Sequence, residues 1–200
     1  NGGGVYVYAY GADSSAGFTM SGGTISGNTS GPCGGGVFVY ASGADSSATF
    51  TLAGGTISGN TSTNGGGVYV SAYGADSSAE FTMLGGTISG NSGHGGGVGV
   101  AASGTARSAG FAMGGGTISG NTASYGGGVV LSGAATLKKA PVPPATTSGV
   151  IYGSDASAGL KNTALNTGHA VVAGSKKRDT TAGETDTLDS TVEGPEGGWD

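Results

Sequence analysis

Charge is scarce in this 200-residue chain. Only 10% of its residues are charged, against about 25% in ordinary usage. Seven Lys and Arg face twelve Asp and Glu, for a net charge of −5. Arg107 is the only basic residue before Lys138, and the one basic run, Lys176-Lys177-Arg178, leads straight into seven acids between Asp179 and Asp200. Phosphate binding needs clustered Lys and Arg, so nucleic acid is excluded as a partner. Cysteine is almost missing too. Cys33 alone cannot close an internal disulfide, which leaves a free thiol or an intermolecular link, and its variable turn position argues against a designed cross-link. No stretch approaches the roughly 18 apolar residues of a membrane-spanning helix, and no signal peptide opens the chain.

Glycine is what the chain has in excess, 47 of 200 residues. Each costs a helix roughly 1 kcal/mol relative to alanine, which excludes helical bundles and helical solenoids. Collagen is excluded because no strict Gly-X-Y register runs through the sequence. With 36% hydrophobic residues the chain is also too apolar for simple disorder. A compact, glycine-rich β protein remains.

Internal repeats organise most of it. Gly-Gly-Gly-Val begins at residues 2, 34, 65, 95 and 126, and Gly-Gly-Thr-Ile-Ser-Gly-Asn at 22, 54, 85 and 115. Between them stands Gly-Ala-Asp-Ser-Ser-Ala at 11–16, 43–48 and 74–79, loosened to Gly-Thr-Ala-Arg-Ser-Ala at 104–109. Four tandem units of about 31 residues therefore cover residues 2–125. Asn1 to Val7 duplicates the interior run Asn64 to Val70, so the chain starts in mid-pattern and reads as a processed form or a piece of something longer.

Within a unit the apolar period is two, as in Val5-Tyr6-Val7-Tyr8-Ala9-Tyr10 and Thr24-Ile25-Ser26, and glycine punctuates the runs. That pattern predicts three short half-buried strands per unit. Matched apolar residues recur from unit to unit. Two valine columns start at Val5 and Val7, and the others are Phe18/Phe50/Phe81/Phe111, Met20/Leu52/Met83/Met113 and Ile25/Ile57/Ile88/Ile118. Such columns predict an all-β parallel β-helix, each unit one coil and equivalent strands paired about 4.8 Å apart, its right-handed sense implied by the family resemblance given below. The general rule for parallel crossovers gives the same hand.

Residues 1–156 are expected to form the coils, the fifth interrupted by a proline-rich loop at 138–147. Ile151 is expected to rejoin the isoleucine column. Residues 157–200 are expected to hold an irregular last coil, drawing on Leu160, Leu165 and Ala170-Val171-Val172, and an acidic cap or tail in which Leu188 and Trp199 cover the final edge. Asn28, Asn60, Asn91 and Asn121 form a further column at the ends of the isoleucine strands. Asparagine there tolerates a left-handed bend, and stacked amides can hydrogen-bond from coil to coil.

Gly-Gly-Thr-Ile-Ser-Gly-Asn alternating with Gly-Gly-Gly-Val-Tyr-Val resembles the repeats of bacterial surface and secreted right-handed β-helix proteins, in the style of polymorphic outer-membrane protein repeats. Large repeat proteins of this kind occur in spirochaetes and gut bacteria. The resemblance covers residues 2–125, and more loosely Ser148 to Gly153 and the closing run Lys177 to Asp200. It implies an extracellular or cell-surface place, adhesion or display, and no catalytic set.

The residues themselves offer several candidate sites. Tyr6, Phe38 and Tyr69 form an outward column beside Tyr8 and Tyr40 and beside Tyr10 and Tyr73, a surface suited to sugar rings or another protein. Aromatic rows also simply favour strands. On a separate face Thr24, Thr56, Thr87 and Thr117 run parallel to Ser26, Ser58, Ser89 and Ser119, and this Thr-X-Ser grid resembles the faces of β-helical ice-binding proteins. Asp13, Asp45 and Asp76 stack at one corner and offer oxygen ligands for calcium; the alternative, favoured here, is an Asp that closes a turn. No metal or cofactor is expected. His94 and His169 lack partner motifs, and His94 occupies a turn position held elsewhere by Cys33, Asn64 and Tyr125. Arg107 beside Asp76 is a thin basis for a pectin-lyase-like enzyme. The expected function is a non-catalytic structural or adhesive module. Its expected partners are a host or matrix protein, a glycan, or further copies of itself stacked head to tail on an uncapped first edge.

Overall fold

Short alternating runs separated by glycine fold here into strands that find their partners one repeat away. The structure, a computed structural model, describes residues 2–103, 107–139, 150–152, 161–167, 171–173, 176–178 and 187–189. No helix occurs among them.

Three sheets run the length of the stack. The valine sheet contains Val5–Ala9, Val37–Ala41, Val68–Ala72, Val98–Ala102, Val129–Gly133 and Val171–Ala173, all parallel, and ends on the antiparallel strand Lys176–Arg178. The phenylalanine sheet contains Ser15–Met20, Ser47–Leu52, Ser78–Met83, Ser108–Met113 and Thr136–Lys139, and ends on antiparallel Thr187–Asp189. The isoleucine sheet contains Thr24–Ser26, Thr56–Ser58, Thr87–Ser89, Thr117–Ser119 and Val150–Ile151. The molecule is thus a parallel β-helix, as the repeat spacing predicts.

Register is matched residue for residue: Val37 pairs with Val68, Phe50 with Phe81 and Ile57 with Ile88. A one-residue slip would turn every apolar side chain outward, so the columns fix the stacking. Phe50, Phe81 and Phe111 are fully buried, with successive ring centroids 5.0 and 4.8 Å apart. Val5, Phe18 and Ile25 have a neighbouring coil on one side only and are partly buried.

The glycine run before each valine strand has a packing cause. A methyl group on Gly67 would lie 2.6 Å from the Gly97 oxygen, 2.9 Å from Ile88 Cγ2 and 3.0 Å from Asn91 Nδ2. Backbone of one coil here rests on backbone of the next, leaving no room for a side chain.

Some expectations need correction. The left-handed bend beside each asparagine is made by the preceding glycine; Gly27, Gly59, Gly90 and Gly120 have φ between 61° and 66°. The asparagine backbone is thereby free to follow the ladder. A fourth, narrow sheet, Ser92–Gly93, Thr122–Tyr125 and Thr163–Thr167, lies beyond the three predicted, prefigured by the isolated bridges Thr29 to Thr61 and Thr61 to Ser92. Leu165 points out at 78% exposure, because its neighbour Ala164 takes the inward place opposite Ala123. Ile151 does rejoin the isoleucine column opposite Ile118, and Leu188 pairs with Leu137. Residues 140–147 of the proline-rich loop, Leu160, His169, Ala170, Trp199 and most of the acidic end lie outside the described residues.

Candidate binding surface

Alternation along Val5–Ala9 and Val37–Ala41 sends the valines inward and the aromatics outward. Parallel in-register pairing then sets like ring over like ring. Tyr6 stacks on Phe38 at 5.1 Å and 3° between planes, Phe38 on Tyr69 at 5.5 Å, and Tyr8 on Tyr40 at 5.4 Å. The two columns also touch sideways, Tyr6 to Tyr8 at 4.9 Å and Phe38 to Tyr40 at 5.2 Å. The result is an aromatic slab spanning three coils. Tyr10 joins its edge at a tilt, 5.5 Å from Tyr8.

Phe38 departs from expectation. Its register is outward, yet it is 4% exposed, enclosed by Tyr6, Tyr40 and Tyr69 and by the glycine run, where a Cβ on Gly2 would lie 3.2 Å from its own Cβ. It is the anchor of the slab, whereas Tyr8 and Tyr10 are its exposed rim. Burial pushes the Tyr6 phenol up to about 12, with further opposition to its phenolate from Tyr8, Tyr40 and Cys33. Burial likewise raises Tyr40, Tyr69 and the Cys33 thiol. Tyr6, Tyr40 and Tyr69 therefore keep their phenolic protons at neutral pH and serve as neutral hydrogen-bonding groups. Ser42 Oγ donates to the Tyr8 hydroxyl at 3.1 Å.

Tyr73 carries the Arg107 guanidinium 5.1 Å over its ring, and both act on the nearby Tyr40 phenol, Tyr73 raising it and Arg107 lowering it. Arg107 also donates from Nε to the Gly74 oxygen at 3.2 Å and from Nη1 to the Ser103 oxygen. Its cation is directed to a ring and carbonyls, a cation–π turn contact.

The hydroxyl grid forms in register: Thr24, Thr56, Thr87 and Thr117 make one row, Ser26, Ser58, Ser89 and Ser119 the other. It narrows at the far end, where Ser119 is buried and Thr117 pairs with Val150. Asp13, Asp45 and Asp76 have φ of 55°, 52° and 51°, left-handed turn positions that Asp tolerates better than most residues. Among the described residues no three His, Cys, Asp or Glu side chains gather as a metal site.

The asparagine column is a continuous amide ladder. Asn28, Asn60, Asn91 and Asn121 each donate from the backbone nitrogen and from Nδ2 to Oδ1 of the next asparagine, at 2.8–3.0 Å. Nδ2 of Asn60, Asn91 and Asn121 donates its other hydrogen back to Ile25, Ile57 and Ile88 oxygens, each at 3.0 Å. The last rung is Asn162, which sequence reasoning missed. It comes 41 residues after Asn121 instead of 30 to 32, because the extra segment intervenes. The signal was an Asn-Thr pair, present at 28, 60, 121 and 162, although Asn166-Thr167 carries it too and Asn91 is followed by Ser92. Also missed was the stacking of His94 on Tyr125, ring centroids 4.9 Å apart, although their spacing of one repeat implied it.

Comparison with protein-family models, with curated proteins and with solved structures returned no match.

Proposed function

We propose that this chain is a non-catalytic structural and adhesive module that works outside the cell, with its aromatic slab as the contact surface for a glycan or a matrix protein. The observation that carries the reading is the slab itself. Tyr6, Tyr8, Phe38, Tyr40 and Tyr69 are locked by ring stacking onto a sheet whose inner face is the hydrophobic core. Rigid aromatic groups with few rotamers to freeze lose little entropy on binding, and their hydroxyls supply orientation. A repeating scaffold that adds rings coil by coil suits a repeating partner such as a polysaccharide.

The test is retention on immobilised polysaccharides and matrix proteins, comparing the native chain with Tyr8→Ser/Tyr40→Ser. Both side chains lie outside the core, so the double variant keeps its melting temperature within a few degrees and loses retention. Undiminished retention removes the slab from the reading. Electron microscopy of concentrated protein tests the further idea that copies stack head to tail into filaments.

One observation favours a second reading. The Thr and Ser rows stand in register over four coils, a lattice of hydroxyls that suits ordered water up to the buried Ser119. Thermal hysteresis and ice shaping, lost on Thr56→Lys/Thr87→Lys, support an ice binder; their absence from the native chain removes it.

A further inference from the structure

The aromatic column stops at Gly99, which stands between Tyr69 and Val130 in the register of the valine sheet. With no side chain there, the outer face opens into a notch of about 220 Å³ lined by Asn64, Tyr69, His94, Val100, Val130 and Ser132. A second, wider hollow of about 390 Å³ shares His94, Val130 and Ser132 and continues along the stack to Tyr125 and Val172. Together they make one two-lobed groove running parallel to the axis of the solenoid.

We propose that this groove is a binding site for a neutral oligosaccharide, one pyranose ring in each lobe. Size is the first argument. The notch, at about 220 Å³, falls below the roughly 300–1,000 Å³ of pockets for drug-sized ligands and suits a single sugar ring, while the wider hollow of about 390 Å³ has room for a second ring with its substituents. Chemistry is the second. Tyr69 supplies one aromatic wall, the stacked His94–Tyr125 pair supplies another, and Val130 gives both lobes an apolar surface. Sugars present C–H faces to such surfaces and hydroxyls to the rim. The rim is polar and held in place. Asn64 commits Nδ2 to the Pro32 oxygen and keeps an amide oxygen as acceptor, and Ser132 Oγ donates to the Val100 oxygen at 3.4 Å while its lone pairs can accept. Charge is the third argument. None of the described residues that line either lobe is Lys, Arg, Asp or Glu, which favours a neutral ligand over a sulfate, uronate or phosphate.

The groove extends the adhesive reading to later coils; it shares Tyr69 with the slab but does not need Tyr8 or Tyr40, and the experiment separates the two. Maltose, cellobiose, lactose and chitobiose are titrated against the full chain by ligand-observed NMR, with Gly99→Val, His94→Ala and Tyr8→Ser/Tyr40→Ser in parallel. A Cβ at position 99 would lie 3.0 Å from Tyr69 Cδ2, so valine there displaces the ring that walls the notch. The expected result is binding of at least one disaccharide, weakened about tenfold or more by Gly99→Val and by His94→Ala, and unchanged in the slab variant. His94→Ala leaves the backbone untouched and keeps the test valid if the valine variant does not fold. No binding by any of the four sugars at millimolar concentration overturns the groove proposal. So does binding that survives His94→Ala, or that is lost only in the slab variant. If the slab variant alone loses retention on polysaccharide while no disaccharide binds, the adhesive reading stands and the groove proposal falls.

Discussion

Oδ1 of Asn91 accepts two hydrogen bonds from Asn60, one from its backbone nitrogen and one from Nδ2, each at 3.0 Å. Asn91 Nδ2 in turn reaches back to the Ile57 oxygen and forward to Asn121 Oδ1. Every polar atom of this fully buried amide is thus committed to a neighbouring coil. Replacing Asn91 by alanine strands the two Asn60 donors, while the Ile57 oxygen keeps its place in the sheet ladder. Each buried orphan costs about 1–3 kcal/mol, so Asn91→Ala should lose roughly 3 kcal/mol. Asn28 only donates to the ladder, and its alanine variant should cost far less. Urea unfolding midpoints of the two variants check the contrast; equal losses would mean that the ladder carries no special weight.

Gly67 and Gly22 make a second contrasting pair. A methyl at Gly67 meets the Gly97 oxygen at 2.6 Å, whereas one at Gly22 has nothing within 4 Å. Gly67→Ala should therefore force two coils apart and cost roughly 1–3 kcal/mol, as overpacking does. Gly22→Ala should be neutral or stabilise by about 0.4–1 kcal/mol, through the entropy of the unfolded chain. Thermal denaturation of the two variants distinguishes a glycine required by packing from one that is not.

The phenols give the stability a dependence on alkaline pH. Tyr6 is raised from 10.0 to about 12 in the folded chain, first by burial and then by its phenolic neighbours. Unfolding returns it to the ordinary value. Between these two pH values the unfolded state has lost the proton that the folded state retains, so stability falls as pH rises from about 10 towards 12. Below that window Tyr6 contributes no pH dependence. Tyr40 and Tyr69 are shifted in the same direction and add to the slope. Tyr6→Phe should flatten the decline of melting temperature in that range, and ultraviolet titration of phenolate should show fewer groups ionising near pH 10 in the native chain than in urea.

Columns of like residues were legible because a parallel stack repeats its burial pattern at a fixed interval, as with Phe50, Phe81 and Phe111. The narrow fourth sheet was not, because Ser92–Gly93 and the Thr29 and Thr61 bridges are too short and polar to carry a period of two. The slab was legible as a set of rows, but the burial of Phe38 was not. Alternation assigns a side chain to a face, and only the neighbouring rings and the folded-back glycines decide whether that face is wet. Asn162 was hidden by an insertion that broke the spacing while leaving the local Asn-Thr pair intact. The groove at Gly99 depends on one missing side chain in a column, which reads in sequence as mere variation.

The ladder also bears on modification. Asn28-Thr29-Ser30 and Asn60-Thr61-Ser62 both match the acceptor pattern for N-glycosylation. Asn60 is 0% exposed and uses both Nδ2 hydrogens, one for Asn91 Oδ1 and one for the Ile25 oxygen. A glycan on that nitrogen would remove one of these bonds and place a bulky polar group where coils meet. The fold and the modification therefore exclude each other at Asn60. If the chain is passed through a eukaryotic secretory pathway, molecules that fold first should leave with Asn60 bare, and molecules glycosylated first should be retained or degraded. Mass spectrometry of the secreted fraction checks the first part. Ser62→Ala abolishes the acceptor pattern but also removes the buried bond from Ser62 Oγ to the Gly65 oxygen, so a secreted yield that still exceeds that of the native sequence checks the second. Folded, secreted protein fully glycosylated at Asn60 would contradict the closed ladder itself.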